Sequence, residues 1–160
     1  MRSKFSANII GPIVCFFLLV FGVIFCTVVF CSAGISIFYA FFVDLMPCAV
    51  LAWLVCGEFR TKMIVVELGD ESMIIKPYGG LGTPRKIYYS DLDGFSISVL
   101  DSINMAYEYL YLVQRGKKIG KLSEYYHENY AAMKTMIEPK LKNLGFIEFR
   151  YWDEIRESFS

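Results

Sequence analysis

The sequence predicts a membrane α-hairpin followed by an α+β module, in which a bent antiparallel sheet or barrel of about 6–7 strands is capped by a C-terminal amphipathic helix. Three observations predict it. No charge lies between Lys4 and Asp44, nor between Asp44 and Glu58. Beyond Glu58 the chain breaks into short alternating segments punctuated by turn residues. Near the end the apolar spacing switches to steps of three and four. Composition excludes other classes. With 56% hydrophobic and 20% charged residues, the 160-residue chain is neither disordered nor a coiled coil. Sixteen Lys+Arg against sixteen Asp+Glu leave no overall field, which argues against a nucleic-acid partner. A single histidine excludes multi-His metal sites.

A bilayer core of ~30 Å needs ~20 helical residues, so the uncharged front of the chain holds two spans. The small residues Cys31, Ser32, Ala33 and Gly34 mark the break, placing the spans at about 9–30 and 35–56. Gly11-Pro12 suits the first start, because proline is favoured in the opening turn. A hydrophobic stretch of this length followed at once by a second one is not a signal peptide. Arg2 and Lys4 precede the pair, Arg60 and Lys62 follow it, and the turn carries no cation. The positive-inside rule then expects a multi-pass inner (cytoplasmic) membrane protein with both termini cytoplasmic. The domain division is 1–58 for the hairpin and 59–160 for the cytoplasmic part. All five cysteines lie in or beside the spans without CxxC spacing, so neither a disulfide framework nor a zinc set is expected.

Met63–Leu68 and Ser72–Lys76 read as strands joined by Gly69-Asp70-Glu71, a hairpin turn. Pro77–Pro84 is a loop by composition, and Arg85–Tyr89 a third strand. Phe95–Leu100 alternates, as does Tyr107–Val113, which turns at Gln114-Arg-Gly-Lys117 into Lys118–Leu122. Tyr126, Tyr130, Met133, Ile137, Leu141 and Leu144 then define one helical face over about 124–144. Ser123 is the expected N-cap and Gly145 the expected C′ residue, with Pro139 as a kink or a break. Phe146–Tyr151 is a last short strand or a tail.

This order resembles bacterial pleckstrin-homology-like (PH-like) small membrane proteins with an N-terminal two-helix hairpin. Lys86–Gly94, Gly116–Lys121 and the helix to Leu144 carry the resemblance, which extends over nearly the whole chain. It implies a bent sheet closed by a C-terminal helix and a binding role. It supplies no catalytic residues and no cofactor.

Two groups stand out as candidate contact sites. Asp44 lies about ten residues past the turn, hence ~15 Å deep. A carboxylate there costs ~3 kcal/mol, against ~0.3–0.6 returned by each apolar residue of the span. No intramembrane cation pairs with it. It is therefore a contact to another subunit or membrane protein, a proton-linked site, or a neutral acid satisfied by water or a helix carbonyl near Pro47. Arg115, Lys117, Lys118 and Lys121 form a basic hairpin without acids, either a lipid or partner surface or a solvated tip.

Other motifs carry less. Gly79-Gly-Leu-Gly82 has no helix N-terminus behind it and reads as a loop, not a phosphate cradle. His127, beside Glu124 and Glu128, reads as a surface residue, and Tyr107, Tyr109 and Tyr111 as core. No reactive set converges, so the expectation is a non-catalytic binding module for protein and lipid contacts, with no cofactor and no metal. Its partners are membrane lipids and another membrane protein or a second copy. Two alternatives stay open. One is an immunity or regulatory protein that neutralises a membrane-directed toxin. The other is a subunit of an oligomeric transporter or enzyme dependent on Asp44.

Overall fold

The computed structural model describes residues 1–101, 105–150 and 152, with side chains left aside at 37, 40 and 101. Tyr151, where the expected closing segment ends, lies outside the described residues.

A 3₁₀ turn at Ala7–Ile9, capped by Ser6 Oγ accepting from Asn8 N–H, leads into α1 (Ile10–Ser32). Pro12 sits in its first turn, where a missing N–H leaves no bond unmade. The helix closes in a Schellman arrangement. Gly34 adopts φ +68°, its N–H donates to Cys31 O, and Ile35 N–H donates to Phe30 O at 3.0 Å. Ser36 caps α2 (Ile37–Trp53). The coil then widens into π-helix over Leu54–Lys62, where Met63 N–H reaches back five residues to Glu58 O. The second rod thus runs on to Lys62, past the expected end near Cys56. Ala7–Ser32 and Phe41–Lys62 are each long and apolar enough to cross a membrane. Phe17, Phe21, Phe25, Phe38 and Phe42 stand between 57% and 67% exposed on their surface.

Among the described residues the module holds seven strands, in two sheets that do not close into a barrel. β1 (Val65–Leu68), β2 (Ser72–Lys76) and β3 (Arg85–Tyr88) form an antiparallel sheet in that order. β4 (Gly94–Asp101), β5 (Ala106–Gln114), β6 (Lys117–Ser123) and β7 (Asn143–Phe146) form a second sheet, ordered β6-β5-β4-β7. The all-antiparallel expectation fails at β7, which runs parallel to β4. Two sheets and one helix share a core. Val66, Leu68, Met73, Ile75 and Ile87 face Phe95, Leu110, Leu112 and Leu122, with Met133, Ile137 and Leu141 at the closing end.

The closing helix is much shorter than 124–144. α3 spans Tyr130–Ile137 behind Asn129. Ser123 is not its cap, because it completes β6 opposite Tyr109. Residues 124–129 are held in turns by the N-terminal segment: Glu128 N–H donates to Lys4 O, and Lys4 N–H to Asn129 Oδ1 at 2.7 Å. Pro139 lies just beyond the helix end, a position where it cannot extend the coil. Leu144 and Gly145 belong to β7, so Gly145 (φ +100°) is no helix C′ residue.

The first residues act as a strap across the module. Ser3 N–H donates to Val66 O, Val66 N–H to Ser3 Oγ, and Ser6 N–H to Tyr126 O, while Phe5 stacks on His127 at 5.8 Å. The strap and the π-helix therefore tie both ends of the hairpin to the same module.

Candidate functional site

The β5–β6 connection is a two-residue hairpin. Arg115 and Gly116 both take positive φ (52° and 70°), the geometry that matches strand twist, and Gln114 faces Lys117 across it. The returning strand then skips one residue. Val113 pairs with Lys118 but Leu112 with Gly120, leaving Ile119 as a bulge. In a regular strand, residues three apart point to opposite faces. The bulge instead puts Lys118 and Lys121 on one face with Tyr111. Lys118 Nζ sits 4.3 Å from the Tyr111 ring centre, and Lys121 Nζ 5.0 Å from that of Tyr109. Gly120 lies next to the bulge, and a Cβ there would meet the end of the Ile75 side chain at 2.8 Å, which would have to move aside.

Around this strand opens a cavity of about 540 Å³. Arg60 comes from the π-helix, Arg85 from the start of β3, and Lys117, Lys118 and Lys121 from β6, with no acid among the lining residues. Ile64, Ile75, Ile119, Tyr78 and Tyr111 supply its apolar part. Lys121 is only 5% exposed. Among the described residues, the side chains of Arg60, Arg85 and Lys117 make no hydrogen bond or ion pair. Three of the four cations expected on the hairpin thus line the cavity. Arg115 does not and stays at the exposed tip. Sequence reading missed Arg60 and Arg85 as members, because only the fold brings them to β6. The Gly79–Gly82 loop borders the cavity through Tyr78 and Thr83. Its N–H groups donate within the chain, Gly79 to Met63 O and both Gly80 and Gly82 to Pro77 O.

Behind the cavity the π-helix buries a charge. Glu58 accepts from Lys62 Nζ and from Tyr126 Oη, and both Glu58 and Tyr126 are buried. Burial, with the Glu58 carboxylate beside it, pushes the Tyr126 hydroxyl far above its usual range, so it stays a donor.

His127 is a correction: it is 1% exposed. Its Nε2 lies 2.9 Å from Ile64 O, and its Nδ1 faces the main chain of Ser123 at 3.0 Å from the oxygen. Burial lowers its pKa, opposed by those two main-chain contacts. Both ring nitrogens are occupied, so neither is placed to serve as a base. Tyr109 and Tyr111 are buried, as expected, but not in the main core. They lie on the opposite face of β5 from Leu110 and Leu112, with Phe149 stacked on Tyr109 at 5.9 Å.

Asp44 finds a partner within the hairpin. Its Oδ2 lies 2.8 Å from Thr27 Oγ1 of α1, and that hydroxyl is also 2.9 Å from Val23 O. Thr27 gave no charge signal in the sequence, and only antiparallel packing of α1 on α2 reveals it. Among the described residues, no group of three or more His, Cys, Asp or Glu could hold a metal ion. No family model matches this chain, and neither does any curated protein or solved structure.

Proposed function

We propose that this chain is a multi-pass protein of the inner (cytoplasmic) membrane that displays a PH-like binding module on the cytoplasmic side, with both termini inside. It acts by contact with proteins and membrane lipid and performs no catalysis. The observation that supports this reading is the double tether. The Met1–Phe5 strap and the π-helix running on from α2 both pack on one module, so both ends of an apolar hairpin emerge toward one face. The basic cavity takes Arg60 from the π-helix that continues the second rod, and on this reading it lies near the headgroups. The Thr27 contact gives Asp44 an internal partner, which favours hairpin cohesion over pairing with a foreign helix.

The test places one cysteine at the exposed Ser90 in a chain whose five native cysteines are replaced, and a photo-crosslinker at Leu81, which is 93% exposed beside the cavity. A membrane-impermeant maleimide is expected to label Ser90→Cys only after the cells are opened. Ultraviolet light is expected to join Leu81 to lipid or to a discrete membrane-fraction protein. Labelling of intact cells, release of the chain without detergent, or no adduct at Leu81 overturns the reading.

A further inference from the structure

Among the described residues, Arg60, Arg85 and Lys117 come from three separate elements to line one cavity, make no ion pair, and meet no acid in its lining. Arg60 is fixed by the π-helix, Arg85 by the first pair of β3, and Lys117 by the pair that closes the β5–β6 hairpin. Such a set suits one compact ligand whose charge is spread over several oxygens. Two guanidinium forks can each hold a pair of oxygens, and an ammonium adds a point charge. A carboxylate has two oxygens and one charge. A phosphate monoester has three terminal oxygens and ≈ −1.5 to −2 charges at neutral pH. Ile64, Ile75, Ile119 and Tyr78 leave an apolar wall against which the ester's carbon part can lie.

We infer that the cavity is a binding site for a phosphate monoester, held by Arg60, Arg85 and Lys117, and that its source is the headgroup of a membrane lipid. The lipid source rests on the membrane reading above, whereas the phosphate chemistry does not. Lys118 and Lys121, held over Tyr111 and Tyr109, also line the cavity. Arg115, two residues from Lys117 but outside the cavity, takes no part. That separates a built site from a generally basic hairpin.

Full-length protein is placed in nanodiscs of phosphatidylcholine containing phosphatidic acid (a monoester) or phosphatidylglycerol (a diester). Lipid retained through extraction is read by native mass spectrometry, and soluble glycerol 3-phosphate serves as competitor. Phosphatidic acid is expected to be retained over both other lipids and displaced by glycerol 3-phosphate. Arg60→Gln, Arg85→Gln and Lys117→Gln should each weaken retention about fivefold, and the triple variant about a hundredfold. Arg115→Gln should leave it unchanged. Arg85 and Lys117 are exposed, so their variants fold even if Arg60→Gln does not. Binding of glycerol 3-phosphate without retention of phosphatidic acid would keep the phosphate site and assign it a soluble ligand. Equal retention of both anionic lipids, an equal loss with Arg115→Gln, or no binding of either phosphate probe overturns the inference. A chain that stays in the nanodisc yet binds neither probe defeats this site alone. A chain that leaves the bilayer defeats the membrane reading instead.

Discussion

The hairpin and the module solve the hydrophobic problem in opposite ways. Of the two apolar windows, 0% of the first and 17% of the second is buried by the protein itself. In the module, Val66, Met73, Leu110, Leu112, Leu122, Met133 and Ile137 are wholly covered by their neighbours. The module therefore makes its own apolar medium, while the hairpin must find one outside. Stability of the module should follow core volume, and stability of the hairpin should follow its surroundings.

The sharpest test of that contrast pairs two phenylalanines. Phe95→Ala, inside the shared core, should destabilise the module by about 3–5 kcal/mol, whereas Phe21→Ala on the open face of α1 should change it by less than about 0.5 kcal/mol. Denaturant titration of detergent-solubilised protein, followed by near-UV circular dichroism of the module's tyrosines, reads both. Equal effects would dissolve the distinction.

A smaller effect concerns acid. His127 is buried with its pKa depressed, so at neutral pH both folded and unfolded chains hold it neutral. As pH falls through the unfolded value, the unfolded chain takes up a proton that the fold resists. Stability contributed by the neutral ring is thus present above that value and lost below it. The slope from this one group is at most about 1.4 kcal/mol per pH unit. Melting temperatures between pH 7.5 and 5.5 should fall in the native chain and fall less in His127→Gln. Parallel curves would remove His127 as the cause.

The smallest effect belongs to the hairpin. Asn at position 44 can still donate to Thr27 Oγ1 while the Thr27 hydroxyl donates to Val23 O. Asp44→Asn should therefore alter helix–helix stability by no more than about 1 kcal/mol, whereas Asp44→Leu should loosen the pair. Crosslinking between cysteines placed on the two helices would show the difference.

What the sequence revealed was local. Ser72–Lys76 was legible to the residue, because alternation and the Gly69-Asp70-Glu71 turn bound it on one side and Pro77 on the other. The Arg115-Gly116 turn was legible for the same reason. The helical face from Tyr126 to Leu144 misled. Tyr126 and Leu141 do bury beside α3, but from turns that flank it, since residues can share a core wall without sharing a helix. His127 was misread because its burial comes from Phe5 and Ile64, both more than sixty residues earlier in the chain. The cavity was half legible. β6 announced its own lysines, but Arg60 and Arg85 join them only through sheet pairing and the π-helix.

The strap also bears on the order of assembly. Ser6 bonds to Tyr126, and Lys4 to Glu128 and Asn129, across some 120 positions of chain. At a synthesis rate of ~5–20 residues per second, that partner surface emerges about 6–24 s after the strap does. Met1 and Ser3 can pair with Val66 and Leu68 once β1 is made, but throughout that longer delay Lys4 and Ser6 have no partner to dock on. The turns at 124–129 then fasten Lys4 and Ser6 in place, after both rods of the hairpin have been made.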